Sequence, residues 1–327
     1  MKKVLGLGNA LVDIMTMLES DALLNEFNLP KGSMQLVDKE TANKINNATK
    51  HLNKKLASGG SAANTIHGLA NLGVSTGYIG KIGNDELGEF FRNDMIKNKI
   101  EPKLEYGVTD SGCAIALVSP DSERTFATYL GAAVEISDTD IRPSQFEGYT
   151  HFHIEGYLVQ NHALLLKAVQ TAKEKNLIIS LDLASYNVVE ANLEFLENLI
   201  LNYVDIVFAN EEEAKAFTGF EPESALIALS DKCEIAIVKT GRNGSLIKKG
   251  EDFHTIGIIP VNSIDTTGAG DLYASGFLYG LLNNLSLDKC GNIGAVLAGH
   301  VIEEIGAKMS LTKWEKSLLM IDKISNL

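Results

Sequence analysis

Residues 265–278 read DTTGAGDLYASGFL, with three small residues, Gly268, Ala269 and Gly270, directly before the carboxylate of Asp271. Downstream, Ala274, Phe277, Leu278, Leu281 and Leu282 recur at helical spacing, which predicts an amphipathic helix starting near Gly268 with Asp271 in its first turn. Small residues let backbone approach an anion closely, and the free amides and dipole of a helix N-terminus favour negative charge there. A phosphate would suit that place. An ordinary helix start with a stabilising acidic residue reads from the same letters.

A second glycine-led start lies at 58–73, SGGSAANTIHGLANLG, where Gly59 and Gly60 precede an apolar-periodic helix and Asn64, one turn inside, faces the same opening. A plain loop and a solvated Asn64 fit as well. GLGNALVD at 6–13 suggests a dinucleotide fingerprint, but Leu11 stands where the third glycine is needed, which excludes a Rossmann dehydrogenase. Asn9 and Asp13 are expected just after the first strand, at the carboxyl end where α/β sheets bind ligands and where a carboxylate can hold a pair of hydroxyls. For Asp13 a turn residue is the competing reading.

ANEEEAKAF at 209–217 follows a strand and opens a helix, so Asn210 and Glu213 fit the first and fourth positions of a capping box. Glu213, aimed past the helix start, would equally organise waters around Mg²⁺, which keeps its hydration shell. In KTGRNGS at 239–245, Gly241 and Gly244 let the chain pass under a nucleotide's phosphates, with Lys239 or Arg242 adding charge. A hairpin turn at Asn243-Gly244 explains that stretch too. His151 and His153 alternate along a strand and point to opposite faces, which favours core or surface histidines over a metal pair.

Strand-like apolar runs at 4–7, 76–79, 152–154, 177–181, 204–208 and 235–238 alternate with helical patterns at 62–72, 87–97, 162–173 and 211–217. That alternation predicts an α/β fold, a mostly parallel sheet flanked by helices. Two stretches break it: about 12–38, and CAIALVSP with TFATYLGAA between 113 and 133, which are expected to pair without crossover helices into a small β-sheet lid. A chain of 327 residues, 45% hydrophobic, holds one such domain, residues 1–327, with no linker or repeat. The net charge of −13 argues against general affinity for nucleic acid or anionic membranes. Cys113, Cys233 and Cys290 are far apart and in no metal spacing, as expected of buried, reduced thiols. With no apolar stretch of signal-peptide or membrane-span length, a cytoplasmic protein is expected.

Together, GGSAANTIHGLANLGVSTGYIGKIGNDELG and DTTGAGDLYASGFL resemble the two signatures of the ribokinase-like, or PfkB, family of carbohydrate and nucleoside kinases. The resemblance runs over nearly the whole chain. It implies a doubly wound sheet with a β-sheet lid, and transfer of the γ-phosphoryl of ATP to a hydroxyl. It further implies Asp271 as catalytic base, Gly268, Ala269 and Gly270 as the anion hole, and Asn210 with Glu213 as the pair linked to Mg²⁺. Asn9, Asp13, Gly60 and Asn64 match acceptor-binding positions, and Asp265 joins Asn210, Lys239, Gly241 and Gly244 on the nucleotide side. GNALVDI, GSMQLVD, YVDIVFANEEEAKAF and AGHVIEEIGA are most similar to adenosine kinases, which places Gln35, Phe126 and Tyr157 around the base. GYLVQ and TYLGAA depart from the usual adenosine kinase segments, so a free sugar of fructose, ribose or 2-keto-3-deoxygluconate type is the alternative acceptor. A non-catalytic nucleotide-binding sensor on the same fold is the alternative of another class, and a homodimer through the lid is a further expectation.

Overall fold

The apolar runs expected as strands form strands, and they are apolar throughout because both faces of their sheet are covered. The computed structural model describes residues 2–121 and 123–326. In chain order the strands are β1 (Lys3–Leu7), β2 (Leu11–Met17), β3 (Met34–Leu36), β4 (Lys54–Gly59), β5 (Ser75–Ile82), β6 (Ile100–Tyr106) and β7 (Gly112–Val118). They continue with β8 (Arg124–Tyr129), β9 (His151–Glu155), β10 (Ile178–Asp182), β11 (Ile206–Asn210), β12 (Ile235–Lys239), β13 (Ser245–Lys249) and β14 (Asp252–Ile256).

The larger sheet has the order β14-β13-β12-β11-β10-β9-β1-β5-β6, parallel from β12 to β6 and antiparallel at β13 and β14. Side chains alternate between its faces. Leu5, Leu7, Phe152, Ile154 and Ile179 pack under the helix His162–Glu174, while Val4, Tyr78, Phe208 and Ile237 pack under the helices Ser61–Asn71 and Ala269–Leu282. The chain winds outward from β1 in both directions, so the sheet is doubly wound and its order reverses between β1 and β9. In such sheets a crevice opens there, at the carboxyl ends of the strands.

A separate small sheet has the order β3-β8-β7-β2-β4. It corrects the expected lid segments in two ways. β4 belongs to it but lies outside 12–38 and 113–133, because KKLASG carries two lysines and a Ser-Gly end in place of an apolar alternation. The stretch 12–38 is also not free of helix, since Ala22–Glu26 forms a short one. Asp13 changes place as well: it lies inside β2, paired opposite Ala57 and Ala114, and so belongs to the small sheet rather than to the end of β1.

Candidate active site

The helix Ala269–Leu282 starts at Gly268, whose φ of 76° is a left-handed conformation that glycine adopts without strain. Any side chain at Gly268 would also collide with Ala307. Three residues on, Asp271 reaches a second helix start, where its carboxylate accepts from Ser61 Oγ at 2.7 Å and Asn64 Nδ2 at 2.9 Å. Ser275 Oγ donates to the Thr65 and Asp271 carbonyls at 2.8 and 2.9 Å, which holds the two helices in register. Burial pushes Asp271 up to about 6, while the bonds from Asn64 and Ser61 pull it down. At neutral pH it is therefore ionised and aimed, yet only weakly acidic.

Asp271 lies in the wall of a cavity of about 1520 Å³ between the two sheets. At one end Gly60, with φ of 101°, lies against the Asn9 carbonyl so closely that a side chain has no room. Glu155, at the end of β9, organises this end: it accepts from Asn9 N at 2.9 Å, Asn9 Nδ2 at 2.7 Å and Ala62 N at 2.9 Å. Burial pushes it up to about 7 against those three bonds. Asn9 Oδ1 and Asn64 Oδ1 are buried without a partner among the described residues, so both are acceptors waiting for a donor. Asp13 also lines the cavity and is pushed up to about 6, by burial first, with Lys308 opposing and Asp271 adding. A carboxylate beside two free carbonyl oxygens can hold a diol.

The wall beyond is apolar, formed by Met34, Leu36, Phe126, Leu130, Val134 and Tyr157. Gln35, expected there, does not line it. It is exposed and donates to Ser33 Oγ at 3.2 Å, because side chains alternate along β3 and its neighbours Met34 and Leu36 take the cavity side.

At the other end Asn210 and Glu213 form the expected capping box. Glu213 N donates to Asn210 Oδ1 at 2.8 Å, and the Glu213 carboxylate accepts from Asn210 N at 2.8 Å and Asn210 Nδ2 at 2.7 Å. Glu213 is pushed up to about 7, by burial and then by Asp182. Lys239 Nζ pairs with Asp182 Oδ2 at 2.8 Å and lies 3.0 Å from where a side chain on Gly270 would begin, so a larger residue at Gly270 would press on the ammonium. Asp182 also accepts from Ala184 N at 3.1 Å, a bond that holds Ala184 at a φ of 71°.

Three expectations on this side are corrected. Gly270 and Asp271 line the cavity but Gly268 and Ala269 do not, and the Ala269 amide turns back to the Thr266 carbonyl at 3.2 Å. Gly241 lines the cavity, whereas Gly244 sits in the β12–β13 hairpin with its α-carbon against the Ile256 backbone. Asp265 faces away from the cavity: both its oxygens are taken by the Arg124 guanidinium, and it accepts from Thr267 N and Gly306 N at 2.6 Å each. A carboxylate so engaged tethers the small sheet to the glycine loop.

His151 and His153 are both buried, and His153 Nδ1 bonds to Ser180 Oγ at 2.9 Å. Burial pushes the three thiols up, Cys113 to about 11 and Cys233 and Cys290 to about 12, which leaves them inert. Among the described residues, no three His, Cys, Asp or Glu side chains gather to hold a metal directly. Glu155 and Asp182 were missed in the sequence. Their one signal is a carboxylate as the last residue of an apolar strand.

Residues 33–314 match the family model described as pfkB family carbohydrate kinase. A probable sugar kinase from Rhizobium etli is 33% identical, covers 98% of each chain and superposes with a TM-score of 0.86. An adenosine kinase from Sinorhizobium meliloti is 32% identical over 98% of this chain and 99% of its own, also with a TM-score of 0.86. A ribokinase from Haemophilus influenzae is 27% identical over 83% of this chain and 89% of its own.

Proposed function

Because the chain belongs to the pfkB family of carbohydrate kinases, and is thereby an ATP-dependent phosphotransferase of sugars or nucleosides, we propose that its acceptor is the 5′-hydroxyl of a ribonucleoside such as adenosine. The observation that carries this reading is the apolar wall. Met34 and Leu36 line the cavity and are 54% and 64% exposed, and a heteroaromatic base would cover more of that apolar surface than a free sugar can. Asp13 and the free oxygens of Asn9 and Asn64 then take the ribose diol.

In this reading Asp271 accepts the proton of the attacking hydroxyl, held in place by Ser61 and Asn64. Phosphoryl transfer asks mainly for positioning and for stabilisation of charge on the moving group. The first-turn amides of Gly270 and Asp271 have no helical partner and supply that stabilisation together with Lys239 Nζ. Mg²⁺ would be held through water by Glu213 and Asp182, since these buried carboxylates line the cavity and Mg²⁺ keeps most of its waters. It would neutralise charge on the phosphates. The small sheet acts as a lid, excluding water and so limiting wasteful ATP hydrolysis.

The alternative acceptor is a free sugar, favoured by the polar end of the cavity, where Asn9, Asp13 and Asn64 suit the diol of any furanose. The deciding experiment offers adenosine, inosine, ribose, fructose and 2-keto-3-deoxygluconate with ATP and Mg²⁺ and measures ADP release. Adenosine or inosine should exceed every free sugar. A sugar turned over far faster than either nucleoside would end the nucleoside reading.

A further inference from the structure

The segment after the helix Leu287–Val301 runs beneath the active site. Gly306 N is bonded to Asp265, its α-carbon lies against the Met15 side chain of β2, and Ala307 packs on Gly268. The next residue, Lys308, has a buried Nζ with no hydrogen-bond partner among the described residues. An ammonium in such a place is costly unless nearby opposite charge compensates it.

Three carboxylates act on it through space, none of them within ion-pair distance among the described residues: Asp13 from β2, which lies two positions before Met15 on the same face of that strand, Asp94 from the helix Glu86–Lys97 and Asp271 from the helix Ala269–Leu282; the Lys308 charge in turn reaches His67 of the helix Ser61–Asn71. Two of the three are already served. Asp94 accepts from Ser58 N at 3.3 Å and Ser58 Oγ at 2.5 Å, and Asp271 from Ser61 and Asn64. Asp13 receives no hydrogen bond among the described residues. The site thus holds one buried donor without an acceptor and, on the cavity wall, one carboxylate without a donor among the described residues.

We propose that Lys308 is a positioning residue for the acceptor: its buried ammonium, brought beside β2, keeps Asp13 in the carboxylate form that binds the acceptor's hydroxyls. The inference rests on the kinase reading of Asp13. Burial and Asp271 both push Asp13 toward its neutral form, and Lys308 is the charge that opposes them. The other ionisable group facing Asp13 is the Cys113 thiol of β7, which stays protonated. His67 is pushed well below its usual range, by burial and then by Lys308, and adds no charge. In turn, burial pushes Lys308 down to about 8, with Asp13, Asp94 and Asp271 opposing.

The test compares wild type, Lys308→Met, Asp13→Asn and the double variant, reading acceptor KM and ATP KM from pH 5.5 to 8.5 and thermal unfolding of all four. Loss of the ammonium should move the acid limb of acceptor binding up by about one pH unit, so that acceptor KM rises only about twofold at pH 7 but nearly tenfold at pH 5.5, with ATP KM unchanged. In the Asp13→Asn background the second substitution should add nothing, and the melting shifts should be non-additive. An unmoved acid limb, an equal rise in both KM values, or additive effects would overturn the proposal while leaving the kinase reading intact. If wild type phosphorylates no acceptor, the kinase reading falls and the melting cycle decides: additive shifts there reject any link between Lys308 and Asp13.

Discussion

Asn64 holds Asp271 at 2.9 Å across two helix starts, donating through Nδ2 and keeping its Oδ1 free for a ligand. The expected consequence concerns Asp271→Asn, which keeps size and helix start but removes the proton acceptor. Turnover should fall at least ~10²-fold, the usual effect of losing a general base, with ATP affinity and melting temperature close to wild type. Turnover within a few-fold of wild type would reduce Asp271 to a helix-terminal carboxylate.

Activity and the stability contributed by the buried carboxylates should respond to pH in opposite directions. Asp13 and Asp271, pushed up to about 6 from 3.8, and Glu155 and Glu213, pushed up to about 7 from 4.5, all owe the shift first to burial. Between those ordinary values and the raised ones these four groups bind more protons in the folded chain than in the unfolded chain, so the stability they contribute falls as pH rises through the window. Turnover needs Asp271 ionised and is lost as pH falls through about 6. The buried histidines His67, His151 and His153, pushed below their ordinary value by burial, work the other way on acidification, so the check is the difference between wild type and Asp271→Asn: from pH 5.5 to pH 8 the melting temperature of wild type should fall relative to that of Asp271→Asn, while wild-type turnover rises. A difference in melting temperature that does not change with pH would contradict the assignment.

Glu213→Gln separates the capping role from the magnesium role. The carboxylate accepts from Asn210 N and from Asn210 Nδ2, and an amide can accept from only one of these donors. A stability loss of about 1–3 kcal/mol is expected, the cost of one unsatisfied buried group. If Glu213 also organises the hydrated metal, the Mg²⁺ concentration giving half-maximal turnover should rise as well. A magnesium response identical to wild type would leave the residue as a cap alone.

Arg124 and Asp265 have side chains only 12% and 1% exposed, and they join β8 of the small sheet to the loop before Gly268. Removing one partner leaves a buried charge unpaired, so Arg124→Met should cost about 3 kcal/mol, near the low end for such pairs, because Thr267 N and Gly306 N still serve Asp265. Asp265→Asn should lower the melting temperature along with turnover. A higher ATP KM with unchanged melting would return Asp265 to the nucleotide.

What was legible in the sequence is what neighbouring residues decide among themselves. The glycine-started helix, the Asn210–Glu213 box and the alternation of strands and helices depend on dihedral preference and on spacings of two to four residues, so they are written in consecutive letters. The parity of β3 was not legible, because a strand offers two faces and only pairing with β8 sends Met34 and Leu36, rather than Gln35, into the cavity. β4 was hidden by its lysines. Glu155 meets Asn9 across 146 positions, Arg124 meets Asp265 across 141 and Asp271 meets Ser61 across 210. No local preference encodes such pairs. Lys308 shows the same limit: its letter reads as an ordinary surface lysine, and only the close approach of its loop to β2 and to Gly268 takes the ammonium out of water and sets it among carboxylates, because burial and field depend on what the whole fold brings near.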